Sequence, residues 1–166
     1  MTPAQFKKRY WPDIKAACRE NGLNPLFVAA QAALETGWGS HTIGRNLFGI
    51  TPGKGWSGAV RIARTTEYLP DDRQGAKFIK VHAIERLPDG RFKYTVDRAF
   101  KDYPYVRDCL LDHFRVLSGS RYKAAFAHVN DVYRFALEIA RAGYCTAPAE
   151  EYARSIASIA NTLERL

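Results

Sequence analysis

A chain of 166 residues, 46% hydrophobic and 25% charged, has the make-up of an ordinary folded domain and is long enough to bury a real core. No apolar run reaches bilayer-spanning length. The three cysteines, Cys18, Cys109 and Cys145, are too few and too scattered for a disulfide framework or a zinc site. Lys and Arg number 25 against 17 Asp and Glu, and the resulting +8 favours a polyanionic partner: nucleic acid, anionic membrane or acidic cell wall. The charge alone selects none of them and serves solubility equally well.

The opening "MTPAQFKKRYWPDIK" has no apolar stretch of signal-peptide type, so the chain is expected to be made in the cytoplasm with its thiols reduced. Thr2, Pro3 and Gln5 form a helix start with a capping-box pattern. Phe6, Tyr10, Ile14 and Ala17 recur at helical spacing until Asn21-Gly22. Asn24-Pro25 opens a second helix, "PLFVAAQAALE", apolar nearly all round and therefore buried. The glycine- and aromatic-rich "TGWGSHTIGRNLFGITPGKGWSG" has no sustained period and is a loop long enough to suggest function.

Residues 59–69, 77–87 and 91–100 alternate as strands, the last two joined by a "PDGR" hairpin turn at 88–91. From Pro104 onward helical spacing returns in "YVRDCLLDHFRVL", "DVYRFALEIARAG" and "AEEYARSIASIANTLERL". The pattern predicts an α+β fold, mostly helical, with a small antiparallel sheet inserted between helices. With no repeat, linker or low-complexity tract, one domain over 1–166 is expected, its β-lobe at about 56–100.

One carboxylate stands out. Glu35 closes the buried helix, where unsatisfied carbonyls concentrate negative potential, and Ala32, Leu34 and Trp38 surround it with hydrocarbon. Both effects raise a carboxyl pKa, and a carboxylic acid still protonated near neutral pH suits protonation of a glycosidic oxygen. An exposed glutamate at a helix end is the competing reading. Trp38, Phe48 and Trp56 stand among glycines, and flat aromatic faces beside an acid suit the apolar face of a sugar ring. Phe48 also fits as a seal on the core, and Asn46 either holds an N-acetyl group or caps a turn. His41, His82, His113 and His128 show no ligand spacing and read as structural or exposed; no metal or cofactor is expected.

The segment "AAQAALETGWGSHTIGRNLFGI" closely resembles the signature of the glycoside hydrolase family 73 glucosaminidases, which include flagellar rod-assembly hydrolases and cell-wall lysins of bacteria and phages. "KGWSG", "RTTEY", "AKFIKV", "AFKDYPYVRDCLLDHFRVLSGSRY" and "ARAGYCTAPAEEYARSI" follow in the family's order, so the resemblance runs from residue 24 to the C-terminus. It implies a lysozyme-like fold, with a helical lobe and a β-lobe flanking a groove. It also implies Glu35 as general acid, Glu67 as a second carboxylate and Tyr144 as a tyrosine orienting the substrate's acetamido group or a water. Trp38, Asn46, Phe48, Trp56 and Tyr68 are the expected substrate contacts.

Two departures stand out. Residues 80–97 make a fuller hairpin than the family's compact members, and Cys145 replaces a small residue. The implied function is a peptidoglycan hydrolase cutting the β-1,4 bond after N-acetylglucosamine, working as a monomer with neither nucleic acid nor membrane insertion, as a phage or prophage endolysin acting on the wall after release. A muramidase or lytic transglycosylase is the near alternative; a non-catalytic wall-binding module is the rival of another class.

Overall fold

The computed structural model describes all 166 residues, which fold as two compact units. The helical unit is Met1–Phe48 with Tyr103–Leu166; the β unit is Gly49–Asp102. The α+β expectation holds: five α-helices and two short 3-10 segments accompany one three-stranded antiparallel sheet.

Helix α1 (Pro3–Asn21) begins with the capping box read from the sequence, Gln5 N–H donating to Thr2 Oγ1 at 3.2 Å and Thr2 N–H to Gln5 Oε1 at 2.9 Å. It buries Phe6, Tyr10, Ile14, Ala17 and Cys18. Helix α2 (Pro25–Thr36) starts on Asn24, whose Oδ1 accepts from Leu26 and Phe27 N–H. Residues Phe27 to Ala33 of α2 are all buried, and α1, α4 and α5 pack around it. Ala29, Ala30, Ala32 and Ala33 let its neighbours approach closely; within Phe27 to Ala33 the one polar side chain is Gln31, fully buried.

Helices α3 (Val106–Leu117), α4 (Val132–Arg141) and α5 (Ala149–Glu164) complete the unit, with a 3-10 segment at Ser120–His128 that the sequence periodicity did not predict. Phe135 of α4 packs edge-on against Phe27 at 4.6 Å and Phe126 at 5.3 Å, closing the core around α2.

In the β unit, β1 (Val60–Leu69), β2 (Lys80–Arg86) and β3 (Phe92–Lys101) are ordered β1-β3-β2. The predicted turn closes the β2–β3 hairpin, with Leu87 N–H donating to Arg91 O at 2.8 Å and Gly90 at φ 86. Register sets Ala63, Thr65 and Glu67 beside Arg98, Val96 and Tyr94 on one face. Tyr94 and Val96 are fully buried there, whereas Ile62 and Tyr68, on the alternate positions of β1, are exposed. A bulge at His82 interrupts the β2–β3 ladder. His82 and Arg64 both pair with Asp97, the histidine at 2.8 Å.

Candidate active site

Glu35 sits in the last turn of α2. The helix ends there because Gly37 turns left-handed at φ 53; its N–H donates to Leu34 O at 3.4 Å and Trp38 N–H donates to Ala33 O at 2.8 Å. This paired closure is a Schellman turn. Trp38 itself is left-handed at φ 57, the one non-glycine residue so placed. Its ring meets the edge of Phe6 at 5.7 Å, so it is half-buried against α1. Thr36 Oγ1 tightens the same turn by donating to Ala32 O and accepting from Gly39 N–H at 2.8 Å.

The Glu35 side chain stays accessible to solvent, yet the protein mass around its carboxyl displaces enough water to raise its pKa. No hydrogen bond or ion pair within the protein offsets that desolvation. A carboxyl in this setting keeps its proton at a pH where an exposed glutamate has lost it.

Tyr144 is delivered to the same place by a second Schellman turn. Gly143, at φ 88 after α4, donates to Ala140 O at 2.8 Å, and Tyr144 N–H donates to Ile139 O at 3.2 Å. Burial holds the Tyr144 phenol well above its usual range, reinforced by the nearby Tyr152, Glu35, Tyr122 and Cys145. Its ring lies 6.1 Å from both His113 and Tyr152 and 6.3 Å from Tyr122. Glu35 thus shares its surroundings with neutral phenols.

Behind these groups runs a buried polar chain. His113 Nε2 lies 2.9 Å from Gln31 Oε1, and Gln31 Nε2 donates to the Tyr152 hydroxyl at 2.7 Å. Full burial drives the His113 pKa down to about 3, with Asp112 pulling weakly the other way, so the ring is neutral. Phe48 is buried and stacks on His113 at 3.8 Å with planes 9° apart. Asn46, also buried, accepts from Phe48 N–H at 3.3 Å through Oδ1 and so shapes that turn. Cys109 is a buried thiol pushed up to about 12; it accepts from Leu47 N–H.

In the β unit, Glu67 Oε1 pairs with Arg98 Nη1 at 2.7 Å along the shared sheet face, with both side chains partly exposed. Tyr68 is exposed on the opposite face, with Arg91 over its ring. Trp56 is half-buried, donates to Ala59 O at 3.1 Å and carries Lys101 Nζ 4.5 Å from its ring centroid. No three His, Cys, Asp or Glu side chains converge on a metal-sized site.

The structure therefore joins Glu35 and Tyr144 electrostatically, links Asn46 and Phe48 to them through His113, and carries Glu67, Tyr68 and Trp56 on the β unit. Gln31 and Tyr152 went unassigned in the sequence, and His113, read there as structural or exposed, is structural and buried. Gln31 had one signal, a lone amide in an otherwise apolar helix; the 82 residues separating it from His113 hid the pairing.

Comparison with known proteins shows the family. The family described as mannosyl-glycoprotein endo-beta-N-acetylglucosaminidase matches residues 11–165. The peptidoglycan hydrolase FlgJ of Pseudomonas aeruginosa is 35% identical over 168 residues, taking in 96% of this chain and 36% of that protein. The chain spans about a third to a half of the length of the curated relatives it matches. Among solved structures, the C-terminally truncated glycoside hydrolase domain of Salmonella typhimurium FlgJ superposes with a TM-score of 0.71 at 27% identity, covering 99% of each chain. A peptidoglycan hydrolase mutant from Sphingomonas sp. A1 gives 0.73 at 28% identity over 97% of this chain and 96% of that one. With a family match running from residue 11 to 165 through both units, this chain belongs to the glucosaminidase family of glycoside hydrolases.

Proposed function

We propose that the chain is a peptidoglycan hydrolase, one catalytic domain over residues 1–166, cleaving the β-1,4 bond after N-acetylglucosamine with Glu35 as general acid. The observation that carries this reading is a solvent-accessible glutamate without a countercharge at the end of a buried helix, where burial raises its pKa, with un-ionised Tyr144 acting on the same surroundings. A family match through both units supports treating them as one domain. The +8 charge suits a wall bearing peptide carboxylates and anionic polymers.

In this mechanism the Glu35 proton passes to the bridging oxygen as the bond from that oxygen to the anomeric carbon breaks, and the bonding pair leaves with the oxygen. Positive charge develops on the sugar. Water then bonds to the anomeric carbon, either directly or by opening the ring that the substrate's own 2-acetamido oxygen has closed on it, and the proton that water gives up restores the Glu35 carboxylic acid. Glu67, held by Arg98, is the second carboxylate, answering that charge or activating the water. Tyr144 orients the acetamido group or the water. Trp38, Trp56 and Tyr68 contribute sugar contacts, while buried Asn46 and Phe48 serve by holding the wall of the site.

Mass spectrometry of muropeptides from purified sacculi tests the assignment. The wild type is expected to release new N-acetylglucosamine reducing ends and Glu35→Gln none. Muramic acid reducing ends would reassign the bond, anhydro sugars would indicate a transglycosylase, and undiminished digestion by the variant would remove Glu35 from its role. The setting we propose is release as a phage or prophage endolysin. Lysis of cells expressing the chain only when a holin is co-expressed supports that setting; lysis without a holin argues against it.

A further inference from the structure

The buried chain from His113 to Tyr152 has a direction. His113 is neutral and carries one ring proton; with Nε2 facing Gln31 Oε1 at 2.9 Å, a carbonyl oxygen that can only accept, that proton lies on Nε2. Gln31 therefore presents its amide N–H to Tyr152, and the 2.7 Å bond takes a lone pair of the Tyr152 oxygen. The phenol's own proton is then left to point elsewhere. The Tyr152 ring lies 6.1 Å from that of Tyr144, and Glu35, Cys145 and Tyr122 act on the phenol electrostatically; none of the four accepts a hydrogen bond from it within the protein. Two residues inside a dry helical core thus set the polarity of a hydroxyl beside the proposed acid.

We infer that His113 and Gln31 are positioning residues that lock Tyr152 as a hydrogen-bond donor into the space it shares with Glu35 and Tyr144, giving the site a second fixed phenol donor for an oxygen of the bound aminosugar. This rests on the hydrolase reading above and adds to it a relay running from α3 through α2 to α5. Phe48 enters as the stacking plate that fixes the plane of His113. A free hydroxyl rotor could donate or accept; this one has a lone pair already taken by Gln31 and its proton turned away from it, which favours a ligand oxygen over a ligand N–H.

The test exploits the near-identical shapes of glutamine and glutamate. Gln31→Glu donates through its protonated carboxyl at low pH as the amide did; once ionised, above a pKa that burial raises, it accepts instead, so it captures the Tyr152 proton and turns it away from the site. The expected result is a fall in kcat/KM of about tenfold, the typical worth of one hydrogen bond. In a Tyr152→Phe background, where no such proton exists, Gln31→Glu should change kcat/KM less than about twofold, because the two residues act through one bond. Additive losses in the double variant would overturn the relay.

Below the pKa of the introduced carboxyl, its protonated form donates again, and activity relative to wild type at the same pH should recover. Glu35, His113, Asp112, Tyr122, Tyr144 and Cys145 are the titratable groups around this chain, and normalising to wild type cancels their common contribution. Should Gln31→Glu fail to fold or match the wild type at every pH measured, Tyr152→Phe alone decides: a roughly tenfold loss with little change in Tm supports the donor, and unchanged kcat/KM refutes it. Independently of activity, ¹⁵N shifts of the His113 ring are expected to show the Nε2–H tautomer, and the Nδ1–H tautomer would reverse the relay and sink the inference. An inactive wild type would overturn the hydrolase reading and the donor role with it. An active wild type with additive variants would overturn the relay alone.

Discussion

His113 makes the stability of the helical unit sensitive to mild acid, and the size of the effect follows from its burial. Folded, the ring stays neutral down to about pH 3; unfolded, it protonates near its ordinary 6.5. Below 6.5 the unfolded chain therefore binds the extra proton, and stability falls as pH falls. For one such group the loss from pH 7 to pH 5 is about 2 kcal/mol, or about 4–8 °C in Tm for a chain of this length. His113→Gln keeps an amide donor for Gln31 and removes the titration. Urea unfolding of both proteins at pH 7 and pH 5 isolates the effect, since His41, His82 and His128 are common to both. The variant is expected to be the less stable at pH 7, through lost stacking on Phe48, and to lose about 2 kcal/mol less than wild type on acidification. Parallel pH dependences in the two proteins would refute the argument that a dry core keeps this imidazole unprotonated.

Glu35 titrates with the opposite consequence. Its folded pKa lies above the ordinary 4.5, so stability falls as pH rises through that window, and Glu35→Gln should be at least as stable as wild type at pH 7, an advantage that vanishes by about pH 4 in thermal melts. The catalytic rate should decline along the same alkaline limb, as read from a pH profile of sacculus turbidity loss. Glu67→Gln breaks a partly exposed pair with Arg98, so its Tm should move by less than about 4 °C, while a drop in kcat/KM beyond about tenfold would mark a chemical role for the carboxylate. Phe135→Ala opens a cavity against Phe27 and Phe126 and should cost about 3–5 kcal/mol by urea unfolding.

Local signals carried most of the fold. Thr2 and Gln5 marked one helix start and Asn24-Pro25 another, and each strand prediction overlaps the observed strand because alternation and turn chemistry agree over short spans. Glu35 was legible for a similar reason: its helix-end position and apolar neighbours lie within a few residues. What stayed hidden depends on distance along the chain. The Glu67–Arg98 pair joins residues 31 apart and needs the β1–β3 register, and Gln31 meets Tyr152 only once α2 and α5 pack. Phe48 fitted both a sugar platform and a core seal, because nothing nearby announced that an imidazole would occupy its face. The 3-10 run at Ser120–His128 escaped because its three-residue pitch leaves no helical stripe.

The mirror-handed turn after α2 has a mechanical consequence. Every amide from Gly37 to Ser40 is tied to a partner one turn back, and His41 N–H closes the set on Thr36 O at 2.9 Å. Deuterium should enter these amides slowly, as it does in a core. Glu35 is therefore mounted on a stiff pedestal, and in the proposed role it does not yield to a bound glycan. Under that proposal, room for differently decorated strands is to be sought at positions such as Gly53 and Gly55, where an added methyl would meet empty space.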